Sequence, residues 1–270
     1  MNHSLILVEG PQDQAFIGKC LEVLGYKKFE KELSVFHGRI DLECWKELIK
    51  RPDPSQDIKS EKKYYDHVYK TAFYTSDNSS IAIYPARGSR LKSKKITGIP
   101  FYLRSLINND DLPKLDSLAI IGDADSKPPD KTVQEFTDSF GEFGFALPKH
   151  AGEFAQKEYK VGVYVFPNNN CRGILEYILI ECGRKRYPEL ISQAEEFTQT
   201  LRNQGIKHKS LRGYRKLKTH VALTASVLRP GDNNEMTLIH DEWVSDATKD
   251  IESVKQFLDF LTTLLEVPTP

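Results

Sequence analysis

Leu118-Ala119-Ile120-Ile121-Gly122-Asp123 is apolar at odd and even positions alike until it ends in a carboxylate. A strand with one wet face alternates, whereas one apolar on both faces must be covered on both. That is the place of a central strand in a parallel sheet between helices. Three further runs read as strands: Leu5-Ile6-Leu7-Val8-Glu9, Ile81-Ala82-Ile83-Tyr84, and Val161 to Phe166, broken by Pro167. Behind the first, Pro11 suits an opening helical turn, and Ala15, Phe16, Cys20, Leu21 and Leu24 recur at helical spacing. Further helices are predicted around Pro100–Ile107, Val133–Phe140 and, after Asn168-Asn169-Asn170 and Gly173, Ile174–Ile180. This strand–helix alternation predicts an α/β fold with a mostly parallel, four-stranded sheet flanked by helices.

Residues 1–187 are expected to form this core, with 29–80 as an insertion of unknown role. The insertion mixes a possible helix at Leu42–Ile49, a Pro/Asp/Ser loop at Arg51–Ile58 and an aromatic stretch from Tyr64 to Tyr74. Residues 188–270 turn helical: Leu190–Leu201, Tyr214–Val227 and Ile251–Leu265, the last with Ile251, Val254, Leu258, Leu261 and Leu265 on one stripe. No apolar stretch approaches the roughly 18–20 residues that span a bilayer, and the N-terminus runs straight into a core strand rather than a signal peptide. Cys20, Cys44, Cys171 and Cys182 form no CxxC pair, so buried thiols at 20 and 182 are expected rather than a zinc site. A cytoplasmic protein with no membrane association is the expectation.

The net charge is zero, 38 basic against 38 acidic residues, so partners must be sought in the distribution of charge. Thr198 to Gly231 holds no acidic residue but includes Lys209, Arg212, Arg215, Lys216 and Lys218. A second basic run supplies Arg87, Arg90, Lys92, Lys94 and Lys95. A charge run is more often a solvated face than a binding site, yet these are the candidates for contacts to DNA or RNA: Arg87, Arg90, Lys92, Lys94, Lys95, Lys209, Arg212 and Arg215.

Sites in open parallel sheets form outside the carboxyl ends of the strands. Glu9 closes the first strand, and Asp123-Ala124-Asp125 leaves the third with two carboxylates that can point the same way. Like charges held close raise each other's pKa unless a cation neutralises them. Oxygen ligands without His or Cys favour Mg2+ or Mn2+. Each feature has a plainer reading, a loop cap for the aspartates and a helix-dipole partner for Glu9, but their occurrence at matching strand ends favours a metal.

Leu5 to Asp13 with Phe16, followed about a hundred residues later by Ile120-Ile121-Gly122-Asp123-Ala124-Asp125, resembles the Toprim signature. That domain is shared by topoisomerases, primases, recombination-repair proteins and the OLD-family nucleases. The spelling VEGxxDxxF is similar to the OLD-like branch and to a family of small standalone Toprim proteins. Phe166-Pro167-Asn168-Asn169, Gly173, Leu175-Glu176 and a helix bearing Lys216, Lys218 and His220 also fit that small family. The resemblance implies a Toprim-like, Rossmann-like sheet and a nuclease using two metals, held by acids that correspond to Glu9, Asp13, Asp123, Asp125 and Glu176. It also implies a catalytic lysine, Lys218 in preference to Lys216, beside Glu9 as base or ligand. Relatives often have Pro-Asp-Asn where this chain has Pro167-Asn168-Asn169, which would weaken one metal site.

OLD-like nucleases carry an ATPase domain. This chain has no GxxxxGK(S/T) loop, so any ATPase would be a separate protein. A role in antiviral defence is implied by the resemblance alone. A primase would bring a zinc module and a topoisomerase a separate tyrosine domain, and neither fits this length and spacing. The rival of a different class is a non-catalytic, degenerate Toprim subunit that binds nucleic acid. DNA versus RNA, and whether the protein forms an oligomer, are left open.

Overall fold

In chain order the strands are β1 (Asn2–Val8), β2 (Lys27–Lys28), β3 (Ala72–Thr75), β4 (Ser79–Pro85), β5 (Ser117–Asp123), β6 (Phe154–Gln156) and β7 (Lys160–Phe166). The computed structural model describes residues 2–29, 45, 71–86, 91–92 and 114–267. The helices expected at 42–49 and 100–107, and most of the 29–80 insertion, lie outside these residues. The described helices are α1 (Pro11–Val23), α2 (Pro129–Phe140), α3 (Glu176–Arg186), α4 (Pro188–Asn203), α5 (Gly213–Leu228), α6 (Asn234–His240) and α7 (Glu252–Leu265).

The four apolar runs are the four parallel strands, in the order β4-β1-β5-β7. The sheet is wider than expected, with seven strands among the described residues, in the order β2-β3-β4-β1-β5-β7-β6. The three additions pair antiparallel at the edges. They are two to four residues long, too short for a periodic signal, and depend on their neighbours for pairing.

Side chains alternate across the sheet as the pleat requires. Ile6, Val8, Ile81, Ile83, Ala119, Ile121, Tyr164 and Phe166 face one layer, with α1, α3 and α7. Leu5, Leu7, Ala82, Leu118, Ile120, Val163 and Val165 face the other, where Val133, Phe136 and Phe140 of α2 cover them. Both faces are sealed, which is why those strands are apolar throughout. The 188–270 helices are part of this core. Val254, Phe257, Leu258, Leu261 and Leu265 of α7 are buried in the first layer, and the Phe257 ring centroid lies 4.8 Å from that of Tyr164 and 5.5 Å from that of Phe166. Cys20 and Cys182 are buried and free, Cys171 is exposed and free. No described helix is long and apolar enough to cross a membrane.

Candidate active site

Because β1 and β5 are adjacent and parallel, in register from Ser4↔Ser117 to Val8↔Ile121, they end side by side. Glu9 follows β1 directly, and its Oε1 accepts a hydrogen bond from Asp123 N–H at 3.2 Å across the strand gap. The glycine at 122 makes room for it: a Cβ there would sit 2.5 Å from Glu9 Oε1. Glu9 and the aspartates at and just after the end of β5 therefore lie at the same edge of the sheet, the one formed by the carboxyl ends of its central strands.

Asp13 reaches this edge from the first turn of α1, where its Oδ2 accepts from Gly10 N–H at 2.8 Å. Burial, then the charge of Glu9, raises its pKa from 3.8 to about 7 against that hydrogen bond, with Glu176 adding to the rise. Asp123 Oδ1 accepts from Leu175 N–H at 2.8 Å. Burial and the charges of Asp13, Glu9 and Glu176 hold its carboxyl well above the ordinary range. Asp125 leaves β5 in the left-handed region at φ 54°, its N–H donating to Gly173 carbonyl at 2.7 Å, and its side chain is exposed.

Glu176 opens α3 and is buried. Its Oε1 accepts from Gln12 Nε2 at 3.3 Å and lies 3.5 Å from Lys218 Nζ. Its Oε2 is buried with no hydrogen-bond partner among the described residues. Burial would lower the pKa of Lys218, but Glu176, Asp123 and Asp13 outweigh it and raise it. Of the two candidate lysines, Lys218 touches the acids. Lys216 is among the charges felt by His220, a buried residue bonded to Thr198 Oγ1 at 2.8 Å. Asn168 is occupied locally, its Oδ1 accepting from Asn170 and Cys171 N–H.

Lys92 is not in a solvated basic patch, contrary to its expected place among the nucleic-acid contacts. Its side chain is 10% exposed and its Nζ lies 2.6 Å from Glu9 Oε1, 2.6 Å from Asp123 carbonyl and 3.4 Å from Asp125 Oδ2. Burial opposes its charge, yet the three acids, Glu9 foremost, raise its pKa. A cationic atom thus stands where Glu9 and Asp125 would otherwise face each other. Among the described residues no three His, Cys, Asp or Glu side chains are gathered closely enough to hold one ion as they stand. The donor set still fits a hard cation: it is all oxygen, and Glu176 Oε2 is a buried acceptor with no donor among the described residues.

Arg87, Arg90, Lys94 and Lys95 lie outside the described residues. Lys209, Arg212 and Arg215 gather beside the acids, around a cavity of about 760 Å3 that Asp125 and Lys218 also line. Sequence reasoning missed Gln12, Lys207 and Tyr214 as members of this neighbourhood. Lys207 was visible only as one cation among many, and Gln12 and Tyr214 carried no signal of their own.

The fold and site define an α/β protein whose parallel strands deliver an acid cluster with two lysines to one sheet edge. The chain belongs to the family described as "Protein of unknown function (DUF3226)", whose model matches residues 3–266. No curated protein matches it. Among solved structures it is similar to the hypothetical protein PH0156 from Pyrococcus horikoshii OT3, at 16% identity and a TM-score of 0.51, over 98% of this chain and 95% of that one. At that identity the likeness concerns the fold alone.

Proposed function

We propose that the protein is a Toprim-type, Mg2+- or Mn2+-dependent nuclease that cleaves phosphodiester bonds in DNA or RNA. The observation that carries this reading is the meeting of Glu9, Asp13, Asp123 and Glu176 at one sheet edge, mutually raising the pKa values of Asp13 and Asp123, with Lys218 against them. Such a cluster is costly alone and useful with a cation. Glu9, Asp13, Asp123, Asp125 and Glu176 would hold it. When bound, the ion supplies charge neutralisation at the phosphate and activates water for attack.

The chain's own residues do the rest. Lys218, tethered to Glu176, offsets the negative charge that grows on the phosphoryl oxygens. Asp123, held by Leu175 N–H, keeps its carboxyl fixed on the adjoining strand. Lys209, Arg212 and Arg215 hold the phosphate backbone. A controlling ATPase as partner and a role in antiviral defence rest on resemblance only.

Purified protein should cleave a DNA or RNA substrate only with Mn2+ or Mg2+, and Glu9→Gln should lower the rate by about 100-fold or more. Absence of metal-dependent cleavage on every DNA and RNA tried would overturn the reading. The seat of Lys92 between Glu9 and Asp125 favours a second one, a non-catalytic nucleic-acid-binding subunit with a self-neutralised acid cluster. Calorimetric titration separates the two, since that subunit would take up neither ion.

A further inference from the structure

The cations between Thr198 and Gly231 are not spread over a flat face. Lys207, Lys209, Arg212, Arg215 and Lys218 line one cavity of about 760 Å3, with Tyr214 on its wall. Lys207, Lys209, Arg212 and Arg215 form no ion pair among the described residues. Uncompensated like charges around a concavity repel one another and focus a positive potential into it, which an anion relieves. A second recess of about 450 Å3 shares Lys209, Arg215 and Lys218 and runs along α5 past Thr219 and Ser226. Asp125 and Lys218 belong both to the first cavity and to the acid cluster, so the basic groove and the candidate reaction centre are contiguous.

An aromatic edge accompanies the charge. Tyr177 is 42% exposed although it follows the buried Glu176, and its ring lies 6.0 Å from Tyr214, edge to face. It packs closely over Gly173, where a Cβ would come within 2.9 Å of the ring. Gly173 in turn accepts the hydrogen bond from Asp125 N–H. A large, exposed ring is thereby fixed beside both the groove and the acids.

We infer that this groove holds a single-stranded segment of nucleic acid, its phosphates on the lysines and arginines and a base against Tyr177 and Tyr214; the identification of the polyanion rests on the nuclease reading. Proteins that read the sequence of a duplex do so with helices or ribbons that protrude into its grooves. Here the cations line a concavity of about 760 Å3, within the roughly 300–1,000 Å3 of small-ligand sites. A charged groove paired with an exposed aromatic is the arrangement that takes unpaired strands, because every base offers a face to stack.

The test is fluorescence anisotropy in EDTA, which removes cleavage from the readout. The probes are a labelled single-stranded oligonucleotide and the blunt duplex of the same sequence, with inorganic polyphosphate as competitor. The single strand should bind at least about tenfold more tightly than the duplex. Tyr177→Ala should weaken single-strand binding by about tenfold, the effect of removing one stacked base, with Tyr177→Phe restoring it. Arg212→Ala with Arg215→Ala should weaken binding to both forms and flatten the salt dependence by about one unit for each phosphate left without its cation. Equal affinity for duplex, displacement by polyphosphate as effective as by oligonucleotide, or an unaltered Tyr177→Ala overturns the inference. Single-strand binding without cleavage under Mn2+ supports this groove while telling against the nuclease; metal-dependent cleavage with no single-strand preference does the reverse.

Discussion

Lys92 shows how much one side chain alters the chemistry of a cluster. Its ammonium meets Glu9 and the Asp123 carbonyl at 2.6 Å and supplies positive charge among the acids. Under the proposed function, a divalent ion would compete with this internal cation. Lys92→Met should tighten Mn2+ binding by about tenfold, close to 1.4 kcal/mol, while lowering the melting temperature of the metal-free protein, because Glu9 and Asp125 lose their counter-charge. Calorimetry and a thermal melt read the two effects separately, and weaker Mn2+ binding would show that Lys92 helps rather than opposes the ion. The sequence placed Lys92 in a basic run and gave no sign of this. A lysine's partner is set by where its long stem can reach, and here that partner lies 83 positions earlier in the chain. Glu9, Asp123 and Asp125 were readable as site residues because strand ends in a parallel sheet have a known address.

At the scale of elements, the parallel strands and the amphipathic α7 were legible because each carries its own periodic signal. β2, β3 and β6 were not, being only two to four residues long. The register of β1 on β5 is what turns two separate sequence motifs into neighbours. α7 covers β5 and β7 on one face of the sheet. Phe257 is fully buried against Phe16, Tyr164, Phe166 and Phe260. Phe257→Ala should cost about 3–5 kcal/mol, as large-to-small changes in sealed cores do. Urea unfolding should show a lower midpoint at unchanged slope; a change under about 1 kcal/mol would mean that this layer is loosely packed.

For the molecule as a whole, the acid cluster makes stability depend on pH. The folded chain keeps the Asp13 proton up to about pH 7, whereas the unfolded chain releases it near 3.8. Between those values the unfolded state binds fewer protons, so stability falls as pH rises through the window, and the raised pKa of Asp123 acts in the same direction. Under the proposed function, a divalent ion would compete with these protons. Mn2+ should raise the melting temperature more at about pH 8 than at about pH 5, measured by scanning calorimetry with and without the ion; an equal rise at both would place the ion away from Asp13 and Asp123. The sequence by itself determined the four-stranded parallel centre, the two-sided burial of β5 and the sheet edge at which Glu9, Asp123 and Asp125 emerge, since period and strand polarity are local properties of the chain. Only the tertiary structure decided that Lys92 enters the acid cluster, that Lys218 rather than Lys216 touches Glu176, and that Lys207, Lys209, Arg212, Arg215 and Lys218 line one cavity. Those outcomes depend on which segments fold against one another across the sheet, and no local pattern of charge or hydropathy encodes that.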